Sequence, residues 1–228
     1  MHKLFYLCLN WVFFDSPLKS KRVLEVFSTL EEFLSNYDSF FKQSGWSDKS
    51  IRLFSQRVST FNSDKLLESL SIQNINYLTL EDDAYPQHLN EINDPPLVLF
   101  YKGDLSLLKN NSLGVVGPRK ATDYGLEVTK VLVQQLRKQF TIVSGMALGI
   151  DRVSHQVALE GYKSTIAILG VPFNNVYPVE NKGLLERIIE KGLVMTEFPC
   201  GIVSKPYHFP QRNRIISGLS QGVLLPEA

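Results

Sequence analysis

The spacing of hydrophobic positions predicts helices in the first third of the chain. In residues 1–75, apolar side chains recur every three to four residues in SKRVLEVFSTLEEFLSNYDSFF and SDKSIRLFSQRVSTFNSDKLLESL, with Ser or Asp at possible N-caps. The run LFYLCLNWVFF is about half as long as a membrane-spanning helix requires, so it predicts a buried helix rather than a signal peptide or anchor. Residues 1–75 are therefore predicted to form a small helical module.

From residue 112 onward, short β-branched runs alternate with helical patterns. The runs SLGVV, TIVSG, STIAIL, LVMTEF and GVLLP are separated by YGLEVTKVLVQQLRKQF, GIDRVSHQVALEG, NKGLLERIIEKG and RNRIISGLSQ. This alternation predicts an α/β domain over residues 112–228, with a mostly parallel sheet, right-handed crossovers and helices on both faces.

Residues 76–111 join these two parts. They contain Pro86, Pro95 and Pro96, which break helices and favour extended chain. We interpret the segment as a connector with one short strand at Leu97–Tyr101.

Composition limits the partners and cofactors. The formal net charge is +1, so any basic surface for nucleic acid must be local. The cysteines, Cys8 and Cys200, form no C-x-x-C motif and no cluster with histidine, which argues against zinc or a disulfide framework and favours a reducing cytoplasm. Neither G-x-G-x-x-G nor a P-loop lysine motif occurs, so no cofactor and no metal is predicted.

Ligand sites of parallel sheets lie at the carboxyl ends of the strands, and the first loop there is GVVGPRKATDYG. Gly117 allows a sharp turn off the strand, and the start of the next helix faces an anion with a favourable dipole. Arg119 and Lys120 would supply positive charge. Tight packing alone would also explain the glycine.

The second loop is SGMALGIDRVSHQVAL. Gly145 and Gly149 leave the backbone bare, so that a phosphate or a base can approach. Asp151 and His155 lie four residues apart on one helix face, a spacing that could serve acid–base chemistry. No Ser or Cys is spaced to complete a nucleophilic relay, so a structural role is favoured, with catalysis and direct ligand contact as the alternatives.

The third loop is GVPFNNVYPVEN. Asn181 is predicted to cap the helix KGLLERIIEKG. Tyr177 and Asn181 could also contact a ligand, although capping and loop packing would explain both residues.

The fourth loop, FPCGIVSKPYHFPQRNRIISGLSQG, lacks acidic residues between Glu197 and Glu227. Cations placed among aromatic rings suit a nucleic-acid strand, since cations hold phosphates and rings stack on bases. Arg212 and Arg214 are predicted at a helix start, where positive charge opposes the helix dipole, so function is favoured over structure. The basic and aromatic side chains of the loop are Lys205, Tyr207, His208, Phe209, Arg212 and Arg214.

In order and spacing, GPRKATDYG, SGMALGIDRVSH, VYPVEN, TEFPCG and FPQRNRIISGLS resemble the DNA-processing protein A (DprA/Smf) family, from about residue 84 onward. The helical N-terminus is similar in placement to the family's sterile-alpha-motif-like domain. The resemblance implies an extended Rossmann-like domain that binds single-stranded DNA, forms homodimers and loads the recombinase RecA on incoming strands during natural transformation. It also implies no established catalytic activity.

The resemblance also implies roles for single residues. Arg119 matches the arginine of the family's G-[ST]-R loop, and Phe209 matches the phenylalanine that opens F-P-x-R-N-R. Pro118 stands where the family has Ser or Thr, which removes a hydroxyl and a backbone donor. Family members continue beyond VLLPEA, so a C-terminal part is expected to be missing. The predicted DNA contacts are Gly117, Arg119, Lys120, Ser144, Gly145, Lys205, Tyr207, Phe209, Arg212, Asn213 and Arg214, supported by Gly149, Asp151, His155 and Asn181.

The sequence therefore predicts a binding protein rather than an enzyme. One alternative is a nucleotide-cleaving relative of the Lonely-Guy phosphoribohydrolases, whose signatures G-G-G-x-x-G-x-M and P-G-G-x-G-T-x-x-E are absent here. A second alternative is a sensor of a small nucleotide. Preference for a mononucleotide over an oligonucleotide would identify the sensor.

Overall fold

A computed structural model describes residues 2–162 and 164–228, so that Met1 and Lys163 lie outside the described residues. Both predicted helical segments divide at an internal N-cap, because Thr29 and Asn62 each accept a hydrogen bond from an amide of the following turn. The N-terminal helices are α1 (His2–Phe13), α2 (Pro17–Leu24), α3 (Leu30–Gln43), α4 (Asp48–Thr60) and α5 (Ser63–Ile72).

Aromatic rings form the core of this helical module. The ring centre of Phe13 lies 6.1 Å from Phe41, 5.9 Å from Trp46 and 4.8 Å from Phe54. Most of α1 is buried, which confirms the prediction of a buried helix. No helix in the described part of the chain is long and apolar enough to cross a membrane.

The remaining residues build a seven-stranded sheet in the order β1-β2-β6-β5-β4-β3-β7. Strands β6, β5, β4, β3 and β7 run parallel, whereas β1 and β2 add antiparallel strands at one edge. The predicted Rossmann-like class and all five predicted parallel strands are confirmed. The strands are β1 (Asn76–Thr79), β2 (Val98–Gly103), β3 (Ser112–Val115), β4 (Thr141–Ser144), β5 (Thr165–Ile168), β6 (Leu193–Thr196) and β7 (Val223–Leu224).

The segment 76–111 contributes more to the sheet than the predicted connector. Strand β2 was predicted, but β1 was not, because Asn76–Thr79 has the sequence NYLT, which holds only two hydrophobic residues and no β-branched run. Val98 and Phe100 of β2 share a hydrophobic core with Phe5 and Leu9 of α1. The helical module therefore packs directly on the sheet, and the division into domains at 75 and 111 stays a prediction.

Crossovers between the parallel strands place helices on both faces of the sheet. The helices of this part are α6 (Gln87–Asn90), α7 (Asp123–Leu136), α8 (Ile150–Ala158), α9 (Lys182–Lys191) and α10 (His208–Leu219). The strands from β3 to β6 step in one direction, which puts α7, α8 and α9 on one face, and the return to β7 puts α10 on the other. Consistent with this, Ile142 packs in the core beside α7 and α8, whereas its neighbour Val143 packs in the core that contains Ile215 of α10. 3-10 turns lie at Leu105–Lys109 and Val179–Asn181.

We predict that Phe13→Ala lowers the free energy of unfolding by about 3–5 kcal/mol, because it removes a ring that fills the aromatic core. Urea unfolding followed by the fluorescence of Trp11 and Trp46, which both pack against this core, measures the change. The control is Ile72→Ala, since Ile72 is 75% exposed and its truncation should cost no more than about 0.5 kcal/mol. Equal losses in the two variants would contradict the assignment of the core.

Candidate functional site

A cleft lies at the carboxyl ends of the parallel strands. The loops after β3, β4, β5 and β6 meet there, as the sequence predicts. Its outer part has a volume of about 430 Å³. The lining residues of this part are Arg119, Val171, Asn175, Tyr177, Ser204, Lys205, Pro206 and Phe209.

Two aromatic rings and exposed cations dominate the cleft. The ring centre of Phe209 lies 5.4 Å from that of Tyr177, and the guanidinium carbon of Arg119 lies 5.2 Å from the Phe209 centre. The ammonium of Lys205 lies 5.6 Å from the ring centre of Tyr207. Arg119, Lys205 and the neighbouring Lys120 are exposed. The structure thus brings aromatic and basic groups from separate loops to one surface.

Several cleft residues were missing from the predicted site. Tyr177 was only a possible ligand contact, yet it is half exposed beside Phe209. Asn175 Nδ2 donates to Ser204 Oγ over 2.9 Å, which joins the third and fourth loops. The sequence carries a weak signal for Tyr177, in the VYPVEN motif. It carries none for Asn175 and Ser204, because their contact depends on how β5 and β6 pair.

Arg212 is buried, with 4% of its surface exposed. Its Nη1 donates to the carbonyl of Gly145 over 2.6 Å and to the carbonyl of Ile168. Its Nε donates to Asn213 Oδ1 over 3.2 Å, and Asn213 is exposed. Burial lowers the pKa of Arg212 to about 10, although Asp151 acts in the opposite direction. The expectation of a free charge at a helix start is therefore wrong, since Arg212 lies inside α10 and links the ends of β4 and β5.

The close approach of Arg212 also explains a glycine. A Cβ at Gly145 would lie 2.4 Å from Nη2 of Arg212, so any larger residue at this position would force the Arg212 side chain to move. The glycine that was expected to admit a ligand therefore admits an arginine of the same chain.

Arg214 likewise has internal partners. Its Nη1 and Nη2 each donate to one carboxylate oxygen of Glu197 over 2.7 Å, and its Nε lies 2.8 Å from Asp94 Oδ2. Glu197 is only 2% exposed. Although burial lowers it, the pKa of Arg214 is raised overall by the carboxylates of Glu197 and Asp94. Arg214 is thus a neutralised cation that ties α10 to the end of β6 and to the segment before β2.

Asp151 closes the glycine loop after β4. Its Oδ2 accepts hydrogen bonds from the amides of Gly145 and Ala147, both over 3.2 Å. Burial raises the pKa of Asp151, whereas Arg212 and the amide donors lower it. Because the Gly145 amide already donates to Asp151, it is not available to a phosphate that approaches this loop. Gly149 has a φ of +72°, and a Cβ there would lie 2.3 Å from the carbonyl oxygen of Pro118.

The helix start after β3 is occupied in the same way. Glu227 accepts from the Thr122 amide and the Thr122 hydroxyl, both over 3.0 Å. The sequence predicted that an external anion would face this helix start, and a carboxylate of the chain stands there instead. Gly117 is tightly packed, because a Cβ there would lie 2.6 Å from Ile150 Cγ1.

Ser144 and Asn181 form internal hydrogen bonds that hold the end of β4 and the loop after it. The Ser144 hydroxyl is buried and donates to the carbonyl of Val115 over 2.6 Å. Asn181 Nδ2 donates to the carbonyls of Met146 and Ala147 over 2.8 and 3.3 Å. Asn181 is the N-cap residue of α9, as predicted, but its side chain makes no cap hydrogen bond, because its amide donates to the loop after β4 instead.

His155 is completely buried and neutral. Its Nδ1 lies 2.7 Å from the Thr165 hydroxyl, which donates its own proton to the carbonyl of Ile142. Nδ1 must therefore carry the ring proton. Burial, together with the nearby positive charge of Arg212, lowers the pKa of His155 to about 3. Among the described residues, Asp151 binds loop amides and His155 binds Thr165, so the two do not form an acid–base pair.

The described residues also include no group of three His, Cys, Asp or Glu side chains that could hold a metal ion.

The sheet, the loops at its carboxyl edge and the cleft of rings and cations define a Rossmann-like protein with its candidate site at the ends of the strands. The chain belongs to the DNA recombination-mediator protein A family, because the sequence profile with that description matches residues 76–228. The predicted resemblance is therefore confirmed.

Known relatives support this assignment along most of the chain. Protein Smf of Synechocystis sp. is 37% identical over 93% of this chain and 55% of its own length. DNA processing protein DprA of Streptococcus pneumoniae is 40% identical over 74% of this chain and 60% of its own length. This chain thus spans between half and two thirds of the length of these relatives.

Two solved structures have the same fold. The X-ray structure of DprA from Streptococcus pneumoniae has a TM-score of 0.74 and 33% identity, and the match covers 95% of this chain and 72% of that one. The second structure describes the single-stranded DNA binding mode of DNA processing protein A from Helicobacter pylori. It has a TM-score of 0.60 and 31% identity, and the match covers 66% of this chain and 68% of that one.

We predict that Arg212→Ala lowers the free energy of unfolding by about 3–5 kcal/mol, since it leaves Asp151 buried without its compensating charge. Arg187→Ala is the control, because Arg187 is an exposed arginine of α9. Urea unfolding of both variants measures the difference. If Arg212→Ala is as stable as the control but loses DNA affinity, Arg212 acts directly on a strand, as the sequence predicted.

We also predict that His155 makes the protein less stable in mild acid. The folded-state pKa of His155 is about 3, below the value of about 6.5 in an unfolded chain, so the unfolded state takes up the proton first as the pH falls. From pH 6.5 to 5, unfolding free energy should fall more steeply in the wild type than in His155→Asn, by at most about 1.4 kcal/mol per pH unit. Urea titrations across this window test it, with exposed His88→Asn as control. Identical slopes for the wild type and His155→Asn would refute the assignment.

Proposed function

We propose that the chain binds single-stranded DNA in this cleft and acts as a recombination mediator without catalysing a reaction. The observation that carries the proposal is the pair of rings, Phe209 and Tyr177, with the exposed cations Arg119 and Lys205 in the same cleft. Rings that stack on bases beside cations that hold phosphates are typical of proteins that bind single strands. The Helicobacter pylori relative, described with its single-stranded DNA binding mode, supports the same ligand class.

A single strand suits this cleft better than a duplex. In a duplex the base faces are stacked on one another and unavailable to side chains, whereas an unpaired base can be placed against Phe209 or Tyr177. The formal net charge of +1 gives little attraction at long range, so binding depends on the local cations. We assign the phosphate contacts to Arg119, Lys120 and Lys205.

The other predicted contact residues act from behind the cleft in this proposal. Arg212 and Arg214 form hydrogen bonds with groups inside the protein. We therefore propose that they position α10 and, through this helix, Phe209. Ser144 and Gly145 hold the loop after β4 in the same way. Asn213 is exposed and stays available for a direct contact.

The three proposed phosphate contacts predict how binding depends on salt. For a single strand, they correspond to a slope of about −2 in a plot of log affinity against log salt concentration.

The wider role is inferred from family membership. We infer that the protein acts in the cytoplasm as a homodimer, protects incoming single strands and helps to load RecA during natural transformation. The internal hydrogen bonds of Asp151 and His155 favour binding over catalysis, because neither side chain is free to exchange protons with a ligand.

We predict that Arg119→Ala weakens binding to a labelled oligonucleotide of about thirty nucleotides and makes the salt slope shallower by about 0.7, the value for one phosphate contact. Phe209→Leu should weaken binding by about 1–3 kcal/mol at an unchanged slope, because it removes stacking and no charge. Fluorescence anisotropy at several salt concentrations measures both effects. Lys138→Ala is the charge control, since Lys138 is exposed and lies outside the cleft.

Two results would count against the proposal. Binding of a duplex as tight as that of the single strand would exclude stacking as the basis of recognition. Displacement of the strand by a mononucleotide at micromolar concentration would favour the small-nucleotide sensor.

A further inference from the structure

The turn between α1 and α2 of the helical module contacts the start of α10. Asp15 in this turn accepts from Arg57 of α4 through both carboxylate oxygens, over 2.7 and 2.8 Å, and Arg57 also donates to the carbonyl of Val12. Both side chains are largely buried, with exposures of 14% for Arg57 and 10% for Asp15. The Tyr207 hydroxyl donates to Asp15 Oδ2 over 3.3 Å. The helical module thus holds a residue of the fourth cleft loop.

Phe14 makes a second contact, through a buried histidine. His208 stacks on Phe198 with ring centres 4.4 Å apart, and Phe14 packs edge-on against His208 at 5.8 Å. The Lys205 amide donates to His208 Nδ1 over 3.3 Å, so His208 holds the backbone of the cleft lysine. Gln211 adds a hydrogen bond of 2.7 Å to the carbonyl of Phe14. Phe14 of the helical module therefore packs against His208, the residue that accepts a hydrogen bond from the Lys205 backbone.

The two sides of this segment have different partners. Tyr207, His208 and Gln211 contact the helical module, whereas Lys205 and Phe209 line the cleft. We propose that the helical module is a positioning element for the strand-binding cleft, in which Asp15, oriented by Arg57, fixes Tyr207 and thereby sets the placement of Lys205 and Phe209. This inference rests on the proposed function for its consequence and on the contacts above for its geometry.

Charge and positioning predict opposite effects at Asp15. Asp15 is an acidic residue beside a cleft that would bind phosphates, so by electrostatics alone its removal should strengthen binding. If Asp15 positions the cleft loop, its removal should weaken binding. The sign of the change therefore separates the two roles.

The test compares Asp15→Asn with Asp38→Asn in the full chain. Asp38 pairs with Lys42 on the exposed surface of α3, so the control removes the same charge far from α10. We expect Asp15→Asn to bind the thirty-nucleotide strand about three- to tenfold more weakly than Asp38→Asn, the effect of about one lost hydrogen bond. Tyr207→Phe, which keeps the ring, should show a similar loss, and the double variant should be no weaker than either single variant.

Hydrogen exchange gives a readout that does not depend on DNA. Amides of residues 204–211 should exchange faster in Asp15→Asn and Tyr207→Phe than in Asp38→Asn, with unchanged exchange in β4 and β5. Binding by Asp15→Asn as tight as or tighter than by Asp38→Asn would overturn the inference. If the wild type binds no strand, the proposed function fails, and exchange alone decides: unchanged protection of residues 204–211 then overturns the positioning role.

Discussion

A buried guanidinium joins two neighbouring strands of the sheet to the helix that begins beside the cleft. Arg212 reaches from α10 to the carbonyls of Gly145 and Ile168, which lie at the ends of β4 and β5. A charge in this position is costly unless it is hydrogen-bonded and compensated. Asp151 provides the compensation while it binds the amides of the loop that Arg212 contacts. The placement of the cleft loops therefore depends on this set of contacts.

The same constraint divides the basic residues into two groups. Arg212 and Arg214 are surrounded by carbonyls and carboxylates of the chain, and they stabilise the packing of α10 against the sheet. Arg119, Lys120 and Lys205 lie on exposed loops. A chain whose 24 Lys and Arg residues are nearly balanced by 23 Asp and Glu residues can bind a polyanion only through such a local excess of positive charge. The interior arginines shape the cleft, and the exposed cations give it its charge.

The fold could be predicted from the sequence because its signals are local. Alternating β-branched runs and helical patterns located the five parallel strands, and the loops at their carboxyl ends located the cleft. The partners of the site residues could not be predicted in this way. The sequence suggests that Arg212 is available to a ligand, because its partners are backbone carbonyls far away in the chain. Every residue has a carbonyl, so the residue pattern cannot show which of them accept from Arg212. The sequence also could not show that the amides of Gly145 and Thr122 already have carboxylate partners. Asp151 and Glu227 accept from these amides only in the folded chain.

The helical module shows why the cleft is not a property of the sheet alone. Phe14 and Asp15 carry no motif, yet they hold the side of the fourth loop that faces away from the cleft. Loops at the ends of strands are the least constrained part of a Rossmann-like sheet, and a ligand gains affinity when such a loop is already ordered. In the positioning role that we propose, the helical module supplies that order from behind the loop and leaves the cleft open. The shared core of α1 and β2 stabilises this contact, because rotation of the module away from the sheet would expose Phe5 and Phe100.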